Sequence, residues 1–181
     1  VSSMVASSVK GLEETGVTAC IKHFPGQGNA DGDTHDGLAT TERTLEQLRE
    51  TELKPFAAGA EAGTQMIMVG HIAVPSVTGD NTPASLSKDV VTDILREEMG
   101  YNGVVITDAL NMSAISEYYD SAQAAVMALK AGADMVLMPE DFEAAYEGVL
   151  AAVKDGTINE ARINDSLARV YKIKYKETVD K

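Results

Sequence analysis

The stretch CIKHFPGQGNADGDTHDGLA, residues 20–39, places two histidines and three aspartates among four glycines. Asp33 and His35 are two positions apart, so an extended backbone directs both side chains to the same side. A carboxylate beside an imidazole stabilises the protonated ring, which makes that ring a proton donor near neutral pH. We therefore predict that Asp33 and His35 form an acid–base dyad on a glycine-rich loop that folds over a cleft.

Asp108 and Lys22 stand where two apolar runs of the sequence end. For Asp108 the pattern leaves two interpretations, a carboxylate nucleophile or base on a rigid scaffold and an N-cap of the following helix. Lys22 also fits two roles, an ion-pair partner for a nearby aspartate and a donor to substrate hydroxyl groups. With the dyad, a separate carboxylate would allow general acid catalysis and covalent catalysis at one site.

The spacing of the histidines does not favour a metal site. His23, His35 and His71 lie on different segments, and no H-x-x-x-H or H-E-x-x-H pair occurs. The glycines of residues 24–33 match neither G-x-x-x-x-G-K-[ST] nor G-x-G-x-x-G, the phosphate-binding patterns. The sequence thus favours chemistry by carboxylate and imidazole groups.

The composition is that of an ordinary globular domain with a strongly acidic charge. The chain has 181 residues, 28 acidic and 15 basic side chains, a formal net charge of −13 and a pI near 4.5. The basic residues are scattered singly, which argues against a nucleic-acid partner. No apolar run reaches the roughly 18 residues that a membrane span needs. The compartment stays open between the cytoplasm and a secreted or lipoprotein form, and the single cysteine, Cys20, is predicted to be a small buried core residue.

Four nearly continuous apolar runs alternate with helical patterns along the chain. Continuous runs of this kind are typical of strands buried on both faces. Because the runs are separated by helix-length segments, we predict parallel strands and an α/β fold. The four runs are residues 17–22, 65–71, 103–108 and 133–138, and the helical patterns are residues 1–15, 44–62, 87–99, 119–131, 141–154 and 159–176.

Polar and reactive side chains lie at the carboxyl end of each predicted strand. Lys22 and His23 end the first run, His71 the second, Asp108 the third and Met138 the fourth. In parallel α/β folds the carboxyl ends of the strands are where ligands bind. Four separate segments therefore direct their chemistry to one edge of the predicted sheet.

Five motifs resemble those of glycoside hydrolase family three, in particular its β-N-acetylglucosaminidase (β-hexosaminidase) branch. They occur in the order found in that family and cover most of the chain, and KHFPG followed by D-[ST]-H is a specific combination. The motifs are KHFPGQG at residues 22–28, DTH at 33–35, MVGHIAVP at 68–75, PASLSKDVVTDILREEMGYNGVVITDALNM at 83–112 and AGADMVLMP at 131–139.

The resemblance implies a catalytic role for three residues. Asp108 would be the nucleophile that forms a covalent glycosyl-enzyme intermediate with retention of anomeric configuration, and His35, tuned by Asp33, would act as acid and then as base. This dyad would replace the second carboxylate of most retaining glycosidases. The resemblance implies no metal or organic cofactor. Its substrate-binding candidates lie at the strand ends described above: Lys22, His23, His71 and Met138.

Two positions depart from the family pattern, Gln27 where many relatives have histidine and Ala109 where many have a second aspartate, and neither removes a catalytic group. A complete TIM (β/α)8 barrel takes about 250 residues, so we predict that residues 1–181 form a single, partial domain, the C-terminal half of the barrel. It would lack an Asp and an Arg of the first half that grip the sugar. Its open edge would expose apolar surface, and two outcomes stay open: two copies pair through this edge as a homo-oligomer, or the fragment is only marginally stable alone.

The sequence supports one enzymatic function over two alternatives. It predicts a retaining, exo-acting enzyme that removes terminal β-linked N-acetylglucosamine from glycans such as peptidoglycan fragments or chitooligosaccharides. A β-glucosidase of the same family is disfavoured by DGDTH at residues 31–35, because those relatives usually take their acid from elsewhere. A catalytically incomplete carbohydrate-binding or assembly module is an alternative from another class. The natural aglycone and the choice between water and phosphate as acceptor stay open.

Overall fold

The chain folds around a four-stranded parallel sheet. The computed structural model describes residues 1–32 and 37–175, and within them the strands follow the order β1-β2-β3-β4. All neighbouring strands in this sheet pair in parallel, and helices alternate with them, which confirms the predicted α/β class. The strands are β1 (Cys20–Phe24), β2 (Met66–Val69), β3 (Val104–Ala109) and β4 (Met135–Leu137).

Helices precede, connect and follow these strands. The α-helices are α1 (Ser2–Glu14), α2 (Leu45–Glu50), α3 (Leu53–Glu61), α4 (Pro75–Thr78), α5 (Ser113–Ser116), α6 (Ser121–Ala131), α7 (Phe142–Lys154) and α8 (Glu160–Lys174). A 3₁₀ turn (Ala84–Leu86) leads into the π-helix Asp89–Glu98, which separates β2 from β3. None of the helices in the described ranges is long and apolar enough to cross a membrane.

Local sequence signals set several helix boundaries. The helical pattern of residues 44–62 forms two helices, α2 and α3, and Pro55 lies in the first turn of α3, where its missing N–H costs no hydrogen bond. Helix α6 begins at a capping box: the Asp120 carboxylate accepts the Gln123 N–H, and the Gln123 side chain accepts the Asp120 N–H. These signals fix where the chain turns between strand and helix.

The helices cover one face of the sheet. Ile67 and Val69 of β2 are fully buried and belong to the main hydrophobic cluster. The same cluster contains Phe24 and Phe56, whose rings meet edge to face with 5.1 Å between centroids. Full burial of such side chains stabilises the fold by roughly 1.5–3 kcal/mol each. The core therefore lies between the sheet and its helices.

The opposite face of the sheet is open along β1 and β2. Met66 and Met68 alternate with the buried residues of β2 and are half-buried, and Cys20, which pairs with Met66, is exposed. The prediction that Cys20 is a buried core residue is therefore wrong, and so is burial on both faces for these two strands. The physical reason is that helices pack on the other side, so alternate residues of each strand differ in burial.

A buried carboxylate ties the amino-terminal end of the sheet together. Asp134 immediately precedes β4, and its side chain is fully buried. Oδ2 accepts hydrogen bonds from Arg96 Nη2 at 2.5 Å and from the Val105 N–H at 2.9 Å. Oδ1 accepts from Ser166 Oγ at 2.7 Å and from Arg169 Nη1 at 3.1 Å. This cluster joins β3, β4, the π-helix and α8 at the end of the sheet opposite the predicted site.

Candidate active site at the carboxyl ends of the strands

His23 and Asp108 meet at the carboxyl ends of β1 and β3. His23 Nε2 lies 3.4 Å from Asp108 Oδ2, and the two side chains are 24% and 15% exposed. The other carboxylate oxygen, Oδ1, accepts the Ala109 N–H at 2.9 Å. Asp108 therefore has one oxygen held by its own backbone and one that faces an imidazole at the partly open end of the sheet.

Asp108 is part of β3 rather than the cap of a helix. The next helix, α5, begins at Ser113, and its N-cap position is occupied by Met112. Of the two interpretations that the sequence left open, the N-cap role therefore does not apply to this residue. A carboxylate at a strand end is held by the sheet itself, which suits a reactive group that must keep its position.

A glycine makes the contact between β1 and β3 sterically feasible. These strands are separated by β2, so their backbones are about 9–10 Å apart. Gly70 follows β2, and a Cβ at this position would lie 3.1 Å from His23 Cβ and 3.0 Å from Gln27 Nε2. The absence of a side chain at Gly70 thus leaves room for His23 beside the end of β2.

Lys22 is exposed on β1 beside His23. The pairing of β1 with β2 changes register between Ile21 and Phe24, which is where Lys22 and His23 lie. The peptide bonds Lys22–His23 and Phe24–Pro25 are both cis. The structure thus places both predicted sugar-binding residues of β1 at the irregular end of this strand.

His71 lies behind Asp108 and is fully buried. Its Nε2 lies 2.9 Å from the Ala109 carbonyl oxygen, and its Nδ1 lies 2.7 Å from Ser85 Oγ. Burial lowers the pKa of His71 below its ordinary value, while the Ala109 hydrogen bond and the Asp108 charge partly oppose this shift. Because the His71 ring is fully buried, the structure gives no support to the predicted contact between His71 and a sugar.

The segment that carries the predicted dyad is anchored at both ends. Asp31 and Thr40 pair in an antiparallel bridge, with the Asp31 N–H 2.8 Å from the Thr40 carbonyl oxygen. Ala73, which follows His71 by two residues, donates its N–H to the Ala39 carbonyl oxygen at 2.8 Å. The two ends of the segment thus pair with each other, and its C-terminal end also bonds to the chain that follows β2. Asp33 and His35 themselves lie outside the described residues, so their roles stay predictions.

Met138 follows β4 at the same end of the sheet. Its backbone has φ of 45°, its carbonyl oxygen accepts the Asn111 N–H at 3.0 Å, and its side chain is 58% exposed. An exposed thioether there can offer an apolar contact to a ligand, and the predicted role in substrate binding stays a prediction.

The geometry of the described residues supports carboxylate chemistry. Among the side chains in the described ranges, no group of three or more His, Cys, Asp and Glu residues is arranged to hold a metal ion. The described site thus brings His23, His71 and Asp108 together from three successive strand ends. Ser85 was not predicted as part of it, because in the sequence PASLS it is indistinguishable from its neighbour Ser87 as a capping or loop serine.

Comparison with known proteins identifies relatives of the whole described domain. Residues 1–173 match the sequence model described as "Glycosyl hydrolase family 3 N terminal domain". A β-hexosaminidase of Chromobacterium violaceum is 40% identical over 80% of this chain and 41% of its own length, and β-hexosaminidase A of Pseudoalteromonas piscicida is 32% identical over 97% and 33%. The structure of a glycoside hydrolase family 3 β-N-acetylglucosaminidase from Paenibacillus sp. str. FPU-7 superposes with a TM-score of 0.92 at 40% identity, covering 97% of this chain and 34% of that one. The chain thus spans about a third to two fifths of the length of these three proteins.

Proposed function

The chain belongs to glycoside hydrolase family three, and on this premise we propose that it carries the catalytic carboxylate of a retaining β-N-acetylhexosaminidase. The substrate is a glycan with a terminal β-linked N-acetylglucosamine, of the kind found in peptidoglycan fragments or chitooligosaccharides. The observation that carries this proposal is the Asp108 carboxylate, partly exposed at a strand end with Oδ2 facing His23. Relatives named β-hexosaminidase support the sugar specificity.

The proposed reaction has two steps that share one covalent intermediate. In the first, Asp108 Oδ2 bonds to the anomeric carbon while the bond to the leaving oxygen breaks, and that oxygen takes a proton from His35. In the second, a water oxygen attacks the same carbon, its proton passes to His35, and Asp108 is released. Oδ1 is the less suitable attacking atom because it already accepts the Ala109 N–H. Asp33 orients His35 and stabilises its charged form.

The sugar is bound by the residues that surround Asp108. Lys22 and His23 donate hydrogen bonds to its hydroxyl groups, and Met138 packs against its apolar surface. We propose no metal or organic cofactor, because carboxylate and imidazole groups supply the nucleophile and the proton.

We further propose that residues 1–181 are one part of a catalytic barrel domain and that two copies associate through the open edge of the sheet. β1 and β4 are the edge strands of the described sheet, so each has one unpaired edge. Beside β1, an apolar groove is lined by Met4, Val9 and Leu12 of α1 and by Cys20. Static light scattering should therefore give the mass of a dimer, and a monodisperse monomer would contradict the association.

Release of nitrophenol from a nitrophenyl β-N-acetylglucosaminide tests the enzymatic proposal. Asp108→Asn should lower kcat/KM roughly a thousandfold or more, because an amide is a far poorer nucleophile than a carboxylate. Asp93→Asn, the same substitution at an exposed ion pair with Lys88, should leave the rate unchanged. Retention should appear in the NMR spectrum as initial release of the β-anomer.

The same experiment separates the alternatives. An Asp108→Asn variant with full activity, or initial release of the α-anomer, would refute the proposed mechanism. Equal rates on nitrophenyl β-glucoside would favour the β-glucosidase alternative. Binding of N-acetylglucosamine by titration without any nitrophenol release would favour a carbohydrate-binding module.

A further inference from the structure

We propose that Ser85 and His71 are positioning residues for Asp108. Ser85 would hold the His71 ring in one orientation, and His71 would hold residue Ala109 so that its N–H stays on Asp108 Oδ1. The link to catalysis rests on the function proposed above. The contacts themselves can be tested whether or not the chain releases sugar.

The relay is continuous within hydrogen-bonding distance. Ser85 Oγ lies 2.7 Å from His71 Nδ1, and His71 Nε2 lies 2.9 Å from the Ala109 carbonyl oxygen. The Ala109 N–H then lies 2.9 Å from Asp108 Oδ1. The Ala109 carbonyl oxygen is held by His71 and also by the Met112 N–H at 3.1 Å, and the Ala109 N–H is held by Asp108. A residue that is held at both polar groups fixes the side chain that one of these groups binds.

The proton positions follow from the chemistry of the partners. A carbonyl oxygen can only accept, so His71 Nε2 must carry a hydrogen. Burial lowers the pKa of His71, so the ring is neutral at neutral pH and Nδ1 has a lone pair. The Ser85 hydroxyl must then donate to Nδ1. The structure thus predicts one tautomer, with the hydrogen on Nε2, for this histidine.

The backbone holds Ser85 where this bond requires it. Its N–H donates to the Gly70 carbonyl oxygen at 3.1 Å, and the Ala84 N–H donates to the Ile72 carbonyl oxygen at 2.8 Å. These bonds tie the 3₁₀ turn Ala84–Leu86 to the residues on either side of His71. Both Ser85 and His71 are fully buried, so water does not compete for the bonds between them.

Nuclear magnetic resonance on the whole chain tests the contacts directly. The chain has three histidines, so the ring nitrogens of His71 can be assigned by comparison with His71→Gln. We expect the Nε2–H tautomer at pH 7. We also expect the Ala109 amide hydrogen to exchange at least tenfold faster in Ser85→Ala. Ser87 is the control, because it is a buried serine of the same segment. The His71 ring nitrogens bind Ser85 and Ala109, so Ser87→Ala should leave this exchange rate unchanged.

Kinetics test what the contacts do for the reaction. Ser85→Ala should lower kcat at least tenfold with KM within twofold of the parent value, because a displaced nucleophile slows the bond-forming step more than sugar binding. Ser85→Thr keeps the hydroxyl and should restore much of the loss. An unchanged kcat in Ser85→Ala would overturn the catalytic part of the proposal.

The outcomes separate this proposal from the enzymatic one. A charged or Nδ1–H His71, or an Ala109 exchange rate that Ser85→Ala leaves unchanged, would overturn the relay even in an active enzyme. Absence of sugar release by the parent chain would instead overturn the proposed function, while the tautomer and exchange measurements would still decide whether the relay exists.

Discussion

The substitution Asp134→Asn should strongly destabilise the fold without touching the candidate site. The carboxylate accepts from Arg96 and the Val105 N–H with Oδ2 and from Ser166 and Arg169 with Oδ1. Asparagine has one acceptor oxygen, so in either amide orientation two of the four donors would face an NH2 group. An unsatisfied buried donor costs about 1–3 kcal/mol, and breaking a buried ion pair from one side costs about 3–5 kcal/mol.

The charge of Arg96 adds to this cost. Burial lowers the pKa of the Arg96 guanidinium below its ordinary value, and the charge of Asp134 opposes that shift. Removing the carboxylate would leave a largely buried cation without its counter-charge. We therefore expect a loss of about 3–5 kcal/mol in the free energy of unfolding, which is roughly 6–20 °C in Tm for a domain of this size.

Urea unfolding followed by circular dichroism measures this loss. Asp93→Asn is the matched control, since it removes the same charge from the exposed pair with Lys88 and should shift the midpoint little. If the urea midpoint of Asp134→Asn moved no further than that of the control, the Asp134 cluster would not be a major contribution to the packing of the helices on the sheet.

Two further predictions concern pH and helix capping. Because burial lowers the pKa of His71, the unfolded chain binds more protons than the folded one as pH falls below about 6.5, so stability should decrease between pH 7 and pH 5. The charges that face His71 are those of Asp108 and His23. His71→Gln should make the decrease smaller in urea unfolding at the two pH values, and an equal decrease in both proteins would contradict the cause. Separately, Asp120→Ala removes the cap of α6 and should lower the free energy of unfolding by about 1 kcal/mol in the same assay. Asp120→Asn keeps an acceptor oxygen and should lose much less. Equal losses in the two variants would contradict the capping role.

The fold class could be predicted from the sequence because it depends on periodicity. Apolar runs separated by helix-length segments require parallel strands, and the four described strands lie within or next to the predicted runs. The exposure of Cys20 could not be predicted in the same way. Its neighbours Ile21 and Ala19 are as apolar as those of any core strand, and burial depends on what packs against each face rather than on the strand itself.

The location of the candidate site could also be predicted, because strand ends are visible in the sequence. Asp108 and His23 were expected at one edge of the sheet from their positions alone, and the structure places them 3.4 Å apart. What the sequence could not show is the glycine that permits this contact. Gly70 lies within the motif MVGHIAVP, and only the position of His23 beside it shows what a side chain there would displace.

Depth below the surface is what distinguishes the roles of the strand-end residues. Lys22 is exposed, His23 and Asp108 are 24% and 15% exposed, and His71 is fully buried. A side chain that a ligand can reach can bind or attack that ligand. A buried side chain can act only through its neighbours. The segment that contains Ser85 returns over the residues that follow β2 and bonds to the backbone of Gly70 and Ile72, on either side of His71. Since that return joins residues 14 positions apart, no local pattern around His71 could reveal it, and the histidine predicted to touch the sugar instead contacts the backbone of the residue that follows Asp108.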